Sequence, residues 1–104
     1  MTNRIQQLMQ FTIEDPKDPF NKYALALEYQ KIDAGKALEI FAQLLRDHDN
    51  YVPTYYQLGK MYQEAGRNEE ALQVFARGIA EARNQNDLKA CHELQSALEE
   101  LQSD

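Results

Sequence analysis

Two histidines, one cysteine, two serines and a short acidic run are the residues of this 104-residue chain whose types could do chemistry. His48 stands in RDHDN at the end of a helical segment, on the stripe of Phe41 and Leu44. A helix dipole favours a cation there, so the expected role is structural. Four residues beyond His92 is Ser96, not an acid or a cysteine, so neither histidine forms a metal pair. Asp47 and Asp49 begin like a calcium loop, but Val52 replaces the required glycine and Leu58 the bidentate glutamate. Ser96 and Ser103 lack triad partners, and no glycine-rich phosphate loop is present. Cys91 lies on an apolar helical stripe and reads as a buried, inert thiol. No catalytic, cofactor-binding or metal-binding residue is expected, and the chain reads as non-enzymatic.

The bulk composition narrows the partners. Eleven Lys and Arg stand against 17 Asp and Glu, a net charge of -6. Nucleic acid and anionic membrane surfaces both require a basic face, so neither is expected. The acid is uneven: residues 87–104 hold Asp87, Glu93, Glu99, Glu100 and Asp104 against Lys89 alone, as expected of a solvated outer helix face. A single cysteine allows no internal disulfide and fits a reducing compartment. The longest apolar run, YALAL at 23–27, is too short for a membrane span or a signal-peptide core. The expected location is cytoplasmic.

Every long segment has helical spacing, and none alternates as a half-buried strand does. Ile5, Leu8, Met9, Thr12 and Ile13 mark a first helix, ended by DPKDP. Pro19 suits the first turn of a second helix with Leu25, Ala26 and Tyr29. Asp33 can cap a third, which buries Ala37, Leu38, Phe41, Leu44 and Leu45. After DHDNYVP, the stretch from Tyr55 to Phe75 supplies two more, with Gly66 closing one and Asn68 opening the other. Asp87 can cap a last helix with Leu88, Cys91, Leu94, Leu98 and Leu101 on one face.

Two of these helix pairs are copies of one another. Leu25 falls on Leu58, Ala26 on Gly59 and Tyr29 on Tyr62, each 33 residues apart. Ala37 falls on Ala71, Phe41 on Phe75 and Leu44 on Gly78, each 34 apart, with the extra residue in the turn between the helices. Large residues set among small ones at fixed period let antiparallel helices approach closely while aromatic rings fill the space beside them.

Tyr55, Leu58, Gly59, Tyr62, Ala71, Phe75 and Gly78 resemble the tetratricopeptide repeat (TPR), a 34-residue helical hairpin. The copy at 19–51 is looser, with Lys22 in place of the aromatic, Leu44 in place of the small residue and a shortened turn. The resemblance implies an all-α fold: antiparallel hairpins stacked as a short right-handed solenoid of about six helices. It implies one domain over 1–104, with a flanking helix at 1–15, repeats at 19–51 and 52–85, and a capping helix at 87–102.

In this family the first helices of successive repeats line a concave groove that takes a peptide or a partner helix. The resemblance thus implies a protein-binding face of Phe20, Tyr23, Leu27 and Gln30 in the first repeat. In the second it implies Tyr56, Lys60, Gln63 and Glu64. Positions 20, 23, 27 and 30, and positions 56, 60 and 63, recur at steps of three and four, as one helix face requires. The alternative is that the last helix fills the groove and makes Tyr23 and Tyr56 core. Members that clamp a C-terminal carboxylate carry Lys and Asn where this chain has Tyr23 and Leu27, so that specialisation is not expected.

A second alternative is a self-associating homodimer. On the first helix the apolar arc from Phe11 through Leu8, Ile5 and Met9 to Ile13 spans roughly 200°, against the ~100° that one buried face needs. That helix is either clamped on two sides or offers Ile5, Leu8 and Phe11 to a second copy.

Overall fold

The computed structural model describes residues 3–103, and among them there is no strand. Six helices follow in order: α1 (Arg4–Glu14), α2 (Pro19–Gln30), α3 (Ala34–Asp47), α4 (Pro53–Glu64), α5 (Asn68–Asn84) and α6 (Leu88–Gln102). The fold is all-α, built of antiparallel hairpins.

Short polar side chains begin most of the helices. Asn3, Asp18, Asp33 and Asp87 each accept a hydrogen bond from a backbone N–H of the first turn. Such a cap satisfies donors that the helix itself leaves orphaned. Pro19 occupies the first turn of α2, where no N–H is needed. Asn68 does not cap α5. Arg67 takes that place, with its carbonyl accepting from Ala71 N–H, and Asn68 is already helical. The Arg67 guanidinium then donates to both Glu70 oxygens, at 2.7 and 2.5 Å, and stands 4.7 Å from the centre of the Tyr62 ring. These hydrogen bonds hold the Glu70 carboxyl below the usual carboxylate range and push the Arg67 guanidinium up.

The extra residue of the second repeat has a structural cause. In the first hairpin the Tyr29 carbonyl accepts from Asp33 N–H, four residues on. In the second the Tyr62 carbonyl accepts from Arg67 N–H, five residues on. The wider loop needs one left-handed residue, and Gly66 supplies it at φ 77°. The same closure ends α5, where Asn86 at φ 58° lets Asp87 N–H reach the Ala82 carbonyl.

The chain divides into two compact units between Asp49 and Asn50. In the first, α1 and α3 both pack on α2. Ala26, Ala37, Phe41 and Leu44 are fully buried, and the Tyr23 ring meets Phe41 edge-on at 5.8 Å. The α1 stripe is shallower than its spacing suggests. Leu8 alone is buried, while Met9, Phe11 and Ile13 are exposed, so a two-sided clamp is not what occupies its wide apolar arc.

In the second unit α5 packs against α4 and α6, which also touch one another. A β-carbon at Gly59 would overlap the Phe75 ring. One at Gly78 would lie 2.5 Å from Tyr55 Cβ and 3.0 Å from Leu94 Cδ1. Each of α4 and α5 therefore lends the other a glycine as the seat for an aromatic ring. On α6 the buried stripe is Cys91, Leu94 and Ala97. Leu88 is 71% exposed, contrary to its expected place on that stripe. It is the first helical residue, and helical side chains lean toward the N-terminus, which carries this one past the end of the packed face.

Glycine-to-alanine substitutions should therefore split by site. Gly35→Ala should raise the urea midpoint, since its new Cβ meets only Asp33 Oδ1 at 3.6 Å and alanine is preferred by roughly 0.5–1 kcal/mol. Gly59→Ala and Gly78→Ala should lower it, because overpacking costs about 1–3 kcal/mol. Gly78→Ala should be the worse, since Tyr55 Cβ is tied to its backbone whereas the Phe75 ring can swing aside. A double-mutant cycle with Phe75→Leu checks the Gly59 contact: the smaller side chain should recover part of the loss.

Candidate partner-binding faces

The four residues expected on the first repeat's face lie together. Phe20, Tyr23, Leu27 and Gln30 border one shallow groove of about 520 Å³ along one side of α2. Pro19 and the Asp18 cap start α2 one residue before Phe20, which sets the ring at the groove's end. Phe20 is 56% exposed, an uncommon state for a phenylalanine, and Leu27 is half-buried. Tyr23 serves two ends: it lines the groove, and its ring supports Phe41 beneath.

The rim was not legible from one helix. Arg4 reaches over from α1, with its Nε 3.8 Å from Glu28 Oε1, and Lys31 Nζ lies 2.8 Å from Glu28 Oε2. One carboxylate between two cations closes the polar edge of an apolar floor. Exposed pairs of this kind contribute little stability, so their consequence is the charge they present. Sequence spacing exposes periodicity within a helix, and Arg4 is brought here by the tertiary packing of α1 on α2.

The second repeat's expected face is less unified. Tyr56 is half-buried and shares a depression of about 430 Å³ with His92, Glu93, Ser96 and Glu100 of α6. Thus α6 stands beside this tyrosine and leaves it partly open. Further along α4, Lys60 and Gln63 are half-buried and Glu64 is exposed. Among the described residues, the buried Gln63 Oε1 atom has no protein hydrogen-bond partner. The Thr54 hydroxyl, at the start of α4, is in the same condition.

Residues considered for chemistry sit in structural places. His48 is the C-terminal cap of α3, with its backbone N–H donating to the Leu44 carbonyl. His92 is on the exposed side of α6, and the Cys91 thiol is buried. Of the self-association residues, Phe11 is exposed and Ile5 half-buried, but Leu8 is enclosed against its own unit and stands behind the surface.

With this geometry in view, residues 29–101 match the model of the tetratricopeptide repeat family. The chain belongs to the tetratricopeptide repeat family. Two solved structures of tetratricopeptide repeat domain proteins from Salinibacter ruber, one in solution and one in a crystal, resemble it with TM-scores of 0.80. They are 43% and 40% identical to it, over 85% and 83% of this chain and 90% and 98% of theirs. A protein from Bordetella parapertussis shares the fold at a TM-score of 0.80 and 24% identity, over 97% of this chain and 89% of its own. Among curated proteins nothing matches. Tetratricopeptide repeats serve in general as protein–protein interaction modules. Among the described residues no helix is long and apolar enough to cross a membrane.

In this tetratricopeptide hairpin Tyr23 and Phe20 should respond differently to truncation. Tyr23→Ala removes the ring under which Phe41 packs and should cost about 2 kcal/mol in chemical denaturation. Phe20→Ala leaves an already exposed position and should shift stability by no more than about 0.5 kcal/mol.

Proposed function

We propose that the protein is a non-enzymatic adaptor that docks a peptide or a partner helix on the groove face of α2 formed by Phe20, Tyr23, Leu27 and Gln30. The observation that carries this reading is the Phe20 ring, largely exposed beside Tyr23 and Leu27 over an apolar floor. Aromatic anchors in apolar grooves with polar rims are where binding energy concentrates at interfaces. Gln30 and the Arg4–Glu28–Lys31 edge would orient the peptide backbone and its charged side chains. By the family pattern the matching face of the second repeat is Tyr56, Lys60, Gln63 and Glu64. A lone buried thiol, Cys91, suits a reducing compartment such as the cytoplasm.

Selection from a displayed peptide library tests the reading. Ligands enriched by the wild type should share apolar anchors. Phe20→Glu should keep its helical circular dichroism and weaken those ligands at least tenfold, about 1.4 kcal/mol. Loss with Tyr56→Glu and not with Phe20→Glu would move the site to the second repeat. Retention by both folded variants would overturn the groove reading.

The exposed α1 residues favour a second reading, a homodimer through Ile5 and Phe11. In that case light scattering should show a mass that rises with concentration in the wild type and stays monomeric in Phe11→Ser. An unchanged mass series in the two proteins would exclude dimerisation through Phe11.

A further inference from the structure

The opposite side of the first unit carries a second groove that the adaptor reading does not use. Because α1 and α3 both pack on α2, they stand as walls on either side of it. Between them lies an open groove of about 250 Å³, floored by Leu25 and Tyr29 and walled by Met9, Ile13 and Ile40. Met9 is 46% exposed and Ile13 is 71% exposed. Lone exposed apolar side chains are ordinary on a protein surface, but a contiguous set around a concavity is a marker of binding.

The rim distinguishes this groove from a packing defect. Lys22 and Lys36 border it, and among the described residues no acidic one does. A second depression of about 410 Å³ shares Lys36, Ile40 and Gln43 with it and extends along α3 to Arg46. Glu39 is the one carboxylate lining that extension. Asp47 pairs with Lys22 at 4.0 Å, while Lys36 has no ion pair among the described residues. A cationic rim thus follows an apolar trough on a chain whose net charge is -6. Local charge of this sign, opposed to the charge of the whole chain, selects an acidic ligand and disfavours a basic one.

We propose that this trough docks an acidic amphipathic helix of a partner protein, with apolar side chains seated between α1 and α3 and carboxylates against Lys22, Lys36 and Arg46. A helix laid in a groove presents apolar anchors at three- and four-residue spacing and flanking charges to the two rims. The competing occupant is a second copy of this chain, whose α1 ends with exposed Phe11 and Ile13 followed by Glu14 and Asp15.

The test uses a synthetic helical peptide with leucines on one face and glutamates on both flanks, beside the same peptide with lysines for glutamates. Titration is followed by amide chemical shifts. The glutamate peptide should bind saturably, with shifts centred on Met9, Ile13 and Ile40, and more weakly at high salt. Ile13→Ser and Lys36→Glu should each weaken it at least tenfold, about 1.4 kcal/mol. Both variants should fold: Ile13 is mostly exposed, and Glu at position 36 would sit where a capping box with Asp33 wants an acid. Phe20→Glu should leave this binding unchanged, which separates it from the face of α2 considered above. Equal binding of the two peptides, shifts centred on Phe20, or insensitivity to both variants would overturn the proposal. So would absence of peptide binding together with a concentration-dependent dimer that Ile13→Ser abolishes, which would make the occupant a second copy.

Discussion

The absence of a side chain at Gly78 is the constraint on which the second unit rests. Tyr55 of α4 and Leu94 of α6 both close on this point of α5, so three helices converge where there is no β-carbon. The reciprocal seat at Gly59 takes Phe75 of α5 into α4. Glycine costs helix stability relative to alanine, roughly 0.5–1 kcal/mol at each site. Close approach returns that through the dispersion contacts and apolar burial of large rings. Arg77, with its guanidinium 5.9 Å from the Tyr55 ring, lies over the same junction.

The first unit solves the same packing problem with the sizes exchanged. Where the second repeat pairs Tyr55 with Gly78, the first has Lys22 and Leu44. No ring descends from position 22, so no empty seat is needed, and Leu44 is fully buried. Tyr23, whose counterpart in the second repeat is Tyr56, meets Phe41 edge-on. This looser copy therefore departs from the repeat at two positions and still closes its core, with Leu44 fully buried.

Freed from packing, other residues define surfaces. Phe20 extends beyond the contact between α2 and α3, while Met9 and Ile13 extend beyond the contact between α1 and α2. The two sides of α2 differ in their polar edges. Glu28 sits between two cations on one, and Lys22 with Lys36 borders the other. Function in a scaffold of this kind lies in the side chains that the helices do not need from one another.

Much of the fold was legible because repetition is a local, one-dimensional property. The 33- and 34-residue offsets, the caps at Asp33 and Asp87 and the left-handed turn at Gly66 can all be read along the chain. The helical spacing of 20, 23, 27 and 30 likewise determined that these residues share a face. Contacts between helices decided the rest. Spacing marked Leu88 as buried and Asn68 as a cap, yet end geometry and the Gly66 closure decided otherwise, and spacing left open whether α1 is covered on one side or two. Only the tertiary structure brought Arg4 to the edge of the α2 face and opened the trough between α1 and α3. The physical reason is that periodicity says which residues of a helix look the same way, while burial depends on whether another helix is there to meet them.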